Sequence, residues 1–160
     1  MSYQFYFWLH IISYVIWLVA FAGSLICGIK IRIEDSTPVQ KRLIRYERLL
    51  SAIGSYTGAI GIIISGSIMS SMSVGPPWGW FDVQLYPWLA LKQLLFGIII
   101  LFLAIEIKRN IILKKYLSQQ KEILYSKIKK RWRNAYRISM IIYALVVLSI
   151  FLGILKPALS

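Results

Sequence analysis

Trp8-Leu9-His10-Ile11-Ile12-Ser13-Tyr14-Val15-Ile16-Trp17 opens the first long apolar stretch of the chain and holds its only histidine. An ionisable ring inside a segment apolar enough to cross a bilayer is costly to leave in hydrocarbon, so it is expected to face protein, a partner or a ligand. What His10 meets then depends on the segments that pack beside it. Four windows reach the ~20 apolar residues that ~30 Å of hydrocarbon requires at helical rise. They run roughly over 5–29, 49–72, 88–107 and 138–155. The expected fold is all-α: an integral membrane four-helix bundle, one domain over 1–160.

Composition agrees. Of 160 residues, 58% are apolar, with a formal charge of +13 and a mean hydropathy of +0.66. Soluble domains sit nearer ~45–50% apolar and closer to charge balance. The one cysteine, Cys27, excludes an intrachain disulfide framework and any CxxC motif. The first window reads as a retained anchor rather than a signal peptide. No positive charge precedes it, no A-x-A-like site follows it, and Lys30 and Arg32 come after it. Bulky Ile26 before Cys27 also argues against a lipoprotein anchor.

Charge is sharply partitioned between the windows. The first loop carries Lys30, Arg32, Lys41, Arg42, Arg45 and Arg48; the second, Ser73–Pro87, carries no Lys or Arg; the third carries eleven, from Lys108 to Arg137. The positive-inside rule therefore places the first and third loops in the cytoplasm and both termini outside, in an inner (cytoplasmic) membrane. Tyr3, Tyr6, Trp8, Trp78, Trp80, Tyr86 and Trp88 would form the outer aromatic belt. Gly75-Pro76-Pro77-Trp78-Gly79 reads as a rigid turn in the outer loop. Within Lys108–Arg137, Leu113, Leu117, Leu124 and Ile128 keep helical spacing, so the third helix is expected to run on and the fourth to begin early. Their basic residues would lie against anionic headgroups. Topology accounts for the charge, and nucleic-acid binding is not expected.

Small and polar residues mark the inward faces. His10, Ser13, Trp17, Ala20, Ser24 and Cys27 form one seam in the first window, and Ser51, Gly54, Gly58, Gly61 and Ser65 an equivalent one in the second, continuing toward Met69 and Met72. Gly54-x-x-x-Gly58 is the spacing that lets helices approach closely in lipid; a glycine groove also suits a flat ligand such as a porphyrin. Lys92 lies about five residues inside its outer boundary, ~7 Å at helical rise, the same depth as His10 and about that of Met69 and Met72. The expectation is that they converge. Each has a plainer reading: Lys92 snorkelling to the interface, His10 making a single hydrogen bond, the methionines packing. Glu106, beside Lys108 and Arg109, is expected to form an interfacial ion pair and no more.

Most enzyme chemistry fails for lack of parts. A Ser-His-Asp triad needs an acid beside the histidine, and the one outer acid, Asp82, is in a loop. A zinc site wants three or four ligands, and no P-loop or GxGxxG fingerprint is present. Two ligand chemistries remain. Haem iron accepts imidazole, at times with a methionine opposite, in an apolar slot with a cation for the propionates; His10, Met69 or Met72, Gly58, Gly61, Trp17 and Lys92 are the candidates. Copper(I) suits thioether and imidazole ligands.

Leu9-His10-Ile11-Ile12-x4-Trp17, Tyr46-Glu47-Arg48-Leu49-Leu50, Trp88-x3-Lys92 and Leu155-Lys156-Pro157, in that order through almost the whole chain, resemble the HemJ-type protoporphyrinogen oxidases and, more broadly, the CopD-like four-helix membrane proteins. The first resemblance implies haem b, oxidation of protoporphyrinogen IX to protoporphyrin IX, and essential roles for His10 and Lys92. His10 would be an axial ligand; Lys92 would be a second ligand or a carboxylate partner, with electrons leaving to a membrane acceptor such as quinone. The chain departs from the family pattern at Ser24–Ile29 and across the glycine-rich Ser51–Gly61. Two alternatives stay open: a non-catalytic small subunit docked on a larger respiratory or transport complex, and a CopD-like copper-handling domain; a homo-oligomer is compatible with each.

Overall fold

The computed structural model describes residues 2–72, 81, 84, 86–117 and 125–155. Four helices account for nearly all of them: α1 Tyr3–Ile33, α2 Thr37–Ser71, α3 Pro87–Leu117 and α4 Tyr125–Ile154. All four are long and apolar enough to cross a membrane, and the chain is a multi-pass membrane protein of the all-α class. Gly75–Gly79, expected as an outer turn, Trp78, Trp80, Asp82, Leu124 and Lys156-Pro157 lie outside the described residues.

Each helix outruns its apolar window. The lengths are 31, 35, 31 and 30 residues, or roughly 45–52 Å at helical rise against ~30 Å of hydrocarbon. The surplus lies mainly at the basic end. Residues 37–48, expected in a loop, form the first three turns of α2, leaving only Glu34, Asp35 and Ser36 between the first two helices. Ser36 N–H donates to Glu34 Oε1 at 3.0 Å, Gln40 Nε2 donates to the Glu34 carbonyl, and Pro38 in the first turn of α2 has its ring where no intrahelical N–H is needed. As expected, α3 continues past the membrane and α4 begins before it. Lys30 and Arg32 close α1, and Lys114 and Lys115 close α3, where cations complement the helix dipole.

α1 packs chiefly along α2, and α3 along α4. The glycine seam explains the first pairing: a Cβ at Gly54 would strike Ala20 Cβ, and one at Gly61 would strike Ser13 Oγ. The absence of side chains there lets the two backbones close up. Outward faces are apolar, with Val19, Leu101 and Ile154 among the most exposed, as lipid contact requires. Hydroxyls at Ser13, Thr57, Ser65 and Ser71 bond the carbonyl one turn back, which satisfies them without water.

The interior has two apolar cores. One gathers Tyr14, Trp17, Ile62, Leu95, Ile99, Ile142 and Tyr143; the other, toward the basic end, gathers Ile31, Ile44, Leu113, Ile128, Trp132 and Tyr136. Between them every helix contributes buried polar groups: Ser24 from α1, Glu47, Arg48 and Ser51 from α2, Glu106 from α3 and Ser139 from α4. This interposed layer overturns the expectation for Glu106. Its side chain is 0% exposed, and its cationic partner is Arg48 on α2 rather than Lys108 or Arg109.

Candidate functional site

His10 lies two turns into α1 and faces α2. Its Nδ1 is 2.9 Å from Ser65 Oγ. The Ser65 hydroxyl donates to the Gly61 carbonyl at 2.6 Å, so its proton is committed and its oxygen accepts from Nδ1–H. That arrangement places a proton on Nδ1 and turns Nε2 away from Ser65. Gly66 adjoins the ring, since a Cβ there would stand 3.7 Å from His10 Cε1. One turn along α1, the Tyr14 ring meets His10 edge-on at 5.2 Å between centroids and shares a 3.0 Å hydrogen bond with Ser149 on α4.

Lys92, in the second turn of α3, points into the bundle. Its Nζ lies 5.3 Å from the Tyr14 ring centroid, within cation–π range, and a Cβ on Gly153 of α4 would come to 3.1 Å from it. The amine thus sits against α1 and α4. Tyr14 is the neighbour common to the histidine and the lysine. No carboxylate lies within ion-pair distance of Lys92 among the described residues.

The remaining candidates fall elsewhere. Trp17 is fully buried, with Nε1 donating to Ser55 Oγ at 3.3 Å. Gly58 faces the Ser13 carbonyl and the Trp17 ring, with a Cβ coming to 3.2 Å from each. Gly58 and Gly61 therefore border α1, which occupies the groove they form. Met69, one turn beyond Ser65, and Met72 close α2, both half-buried. Among the described residues no group of three or more His, Cys, Asp or Glu is placed to hold a metal ion.

The polar layer is the feature the linear reading missed. Glu47 accepts from Arg48 Nη2 at 2.5 Å and Ser24 Oγ at 2.6 Å on Oε1, and from Arg48 Nε at 2.6 Å and Trp132 Nε1 at 3.0 Å on Oε2. Arg48 Nη1 reaches Ser139 Oγ at 3.1 Å and Asn110 Oδ1 at 3.3 Å, and stands 3.6 Å from Glu106 Oε1. That oxygen also accepts from Ser139 at 2.6 Å and Ser51 at 3.1 Å, while Tyr143 donates to Ser51 at 3.2 Å. The signal was present: Lys92, Leu95, Ile99, Leu103 and Glu106 recur at three and four along α3, so a lysine read as inward implies an inward glutamate four turns on.

Comparison with family models, with curated proteins and with solved structures gives no match for this chain.

Proposed function

We propose that this chain binds haem b or a related porphyrin at the His10–Lys92 end of the bundle and acts as a HemJ-like protoporphyrinogen IX oxidase, passing electrons to a membrane acceptor such as quinone. The supporting observation is the His10–Ser65–Gly61 relay: it orients the ring through Nδ1 and leaves Nε2 as the nitrogen that could ligate iron. In this reading the basic loops are cytoplasmic, both termini lie outside, and the membrane is the inner one.

The donor set fits the group on chemistry. His10 would supply one iron ligand, Lys92 would supply a cation or amine at the same end, and Met69, one turn from Ser65, would be a further soft donor. Haem, when bound, supplies one-electron chemistry. The protein's own residues do the rest. Ser65 orients His10; Tyr14 and Gly153 hold the Lys92 amine inside the bundle, where it can pair with a propionate or a substrate carboxylate. Because Gly58 and Gly61 are covered by α1, the glycine seam serves helix packing rather than a porphyrin face.

The test is purification after haem-replete expression. A Soret band that disappears in His10→Ala, with rescue of a strain lacking protoporphyrinogen oxidase, supports the reading. A colourless wild-type protein that fails to rescue overturns it. Copper without haem, lost on replacing Met69 and Met72, would select the copper-handling alternative, and fixed-stoichiometry co-purification that survives His10→Ala the subunit alternative.

A further inference from the structure

The polar layer contains two carboxylates and one guanidinium, with exposures of 0% for Glu47, 7% for Arg48 and 0% for Glu106. Glu47 is saturated: both oxygens accept charge-assisted or indole hydrogen bonds, and Arg48 clasps them in a fork. Glu106 is divided. Its Oε1 faces Arg48, Ser139 and Ser51, while its Oε2 is buried and has no hydrogen-bond partner. The surroundings are otherwise neutral: Tyr56 and Ser51 from α2, Asn110 from α3, Tyr143 and Ser139 from α4, and Ser24 from α1. Arg32 stands over the Tyr136 ring, 5.7 Å from its centroid, and is exposed. One negative charge is therefore uncompensated in an interior flanked by two apolar cores, and such a charge is strongly disfavoured.

We infer that this layer is a proton-binding site, with the exchangeable proton carried on Glu106 Oε2. A carboxylate there takes one proton from hydronium, releasing water and becoming a neutral acid, and the reverse step returns it. The proton removes the excess charge at the one oxygen that has no donor. A metal cation fits poorly, because it would need several oxygen ligands and would stand close to the Arg48 guanidinium on the other oxygen. Glu47 is not the carrier, since a proton there would compete with the four donors already in place. Asn110, one turn further on α3 and half-buried, lies between Glu106 and the basic end of the helix, which makes it the expected route to water. This inference does not depend on what binds at His10.

Infrared spectroscopy of the full chain in lipid nanodiscs at neutral pH tests it. Exposed carboxyls are ionised there, so a protonated Glu106 should give a single carboxylic-acid C=O band that shifts in D2O. The band should vanish in Glu106→Gln and change frequency in Glu106→Asp, while Glu34→Gln leaves it in place. Absence of the band from the wild-type protein overturns the inference, as does a band that survives unmoved in Glu106→Asp. Where Glu106→Gln yields no folded protein, the wild-type and Glu106→Asp spectra decide.

Discussion

The two ends of the bundle handle buried charge in opposite ways. At the basic end, Arg48 is gripped by Glu47 and faces Glu106, with serines from three helices and Trp132 filling the remaining valences. At the other end, Lys92 has only an aromatic face as its described partner, and His10 has one hydroxyl. Lys92 and Glu106 stand 14 residues apart on one face of α3, ~21 Å at helical rise. Arg48 is thus held by charges, whereas Lys92 and His10 are held only by neutral neighbours, which is what the proposed ligand site requires.

Four substitutions would break or sharpen that contrast. Arg48→Met should have the largest effect, because it strands the Glu47 carboxylate in the interior without its cation; a loss of about 3–5 kcal/mol is expected, read as failure to purify a monodisperse protein in detergent. Gly54→Val should cost about 1–3 kcal/mol by forcing α1 from α2 at Ala20, visible as a lowered thermal midpoint. Ser65→Ala should cost only ~1 kcal/mol for one hydrogen bond, yet loosen the imidazole enough to weaken ligand affinity ~10–100-fold in a titration. Lys92→Met should be neutral or slightly stabilising, within about 1 kcal/mol. If Lys92→Met instead unfolds the chain as Arg48→Met does, the distinction between the two ends collapses.

Much of the architecture was legible from the chain. Apolar windows separated by loops of segregated charge gave four helices, and the spacing of Leu113, Leu117 and Ile128 gave the extension of α3 and the early start of α4. Small residues at three- and four-residue intervals gave the inward faces of α1 and α2, and Lys92 does turn into the bundle against Tyr14 and Gly153. The layer was not legible in the same way. Arg48 and Glu106 sit where an apolar window gives way to polar sequence, and a charge at such a boundary reads as interfacial. Only the length of the helices beyond the membrane, with a second apolar core built from Ile31, Ile44, Leu113 and Trp132, turns that boundary into an interior.

Sequence alone determined that the chain is helical, crosses a membrane several times and keeps most of its cations at one end, because hydrophobic length and charge distribution are properties of single segments. Tertiary structure decided which polar groups meet. Hydrogen-bond partners such as His10 and Ser65, or Arg48 and Ser139, lie on different helices, 55 and 91 residues apart, and their distances depend on how closely the glycine seam lets α1 approach α2 and on how α4 folds back along α3. No local pattern encodes that approach, and on it rests which buried polar groups meet a charge and which meet only neutral neighbours.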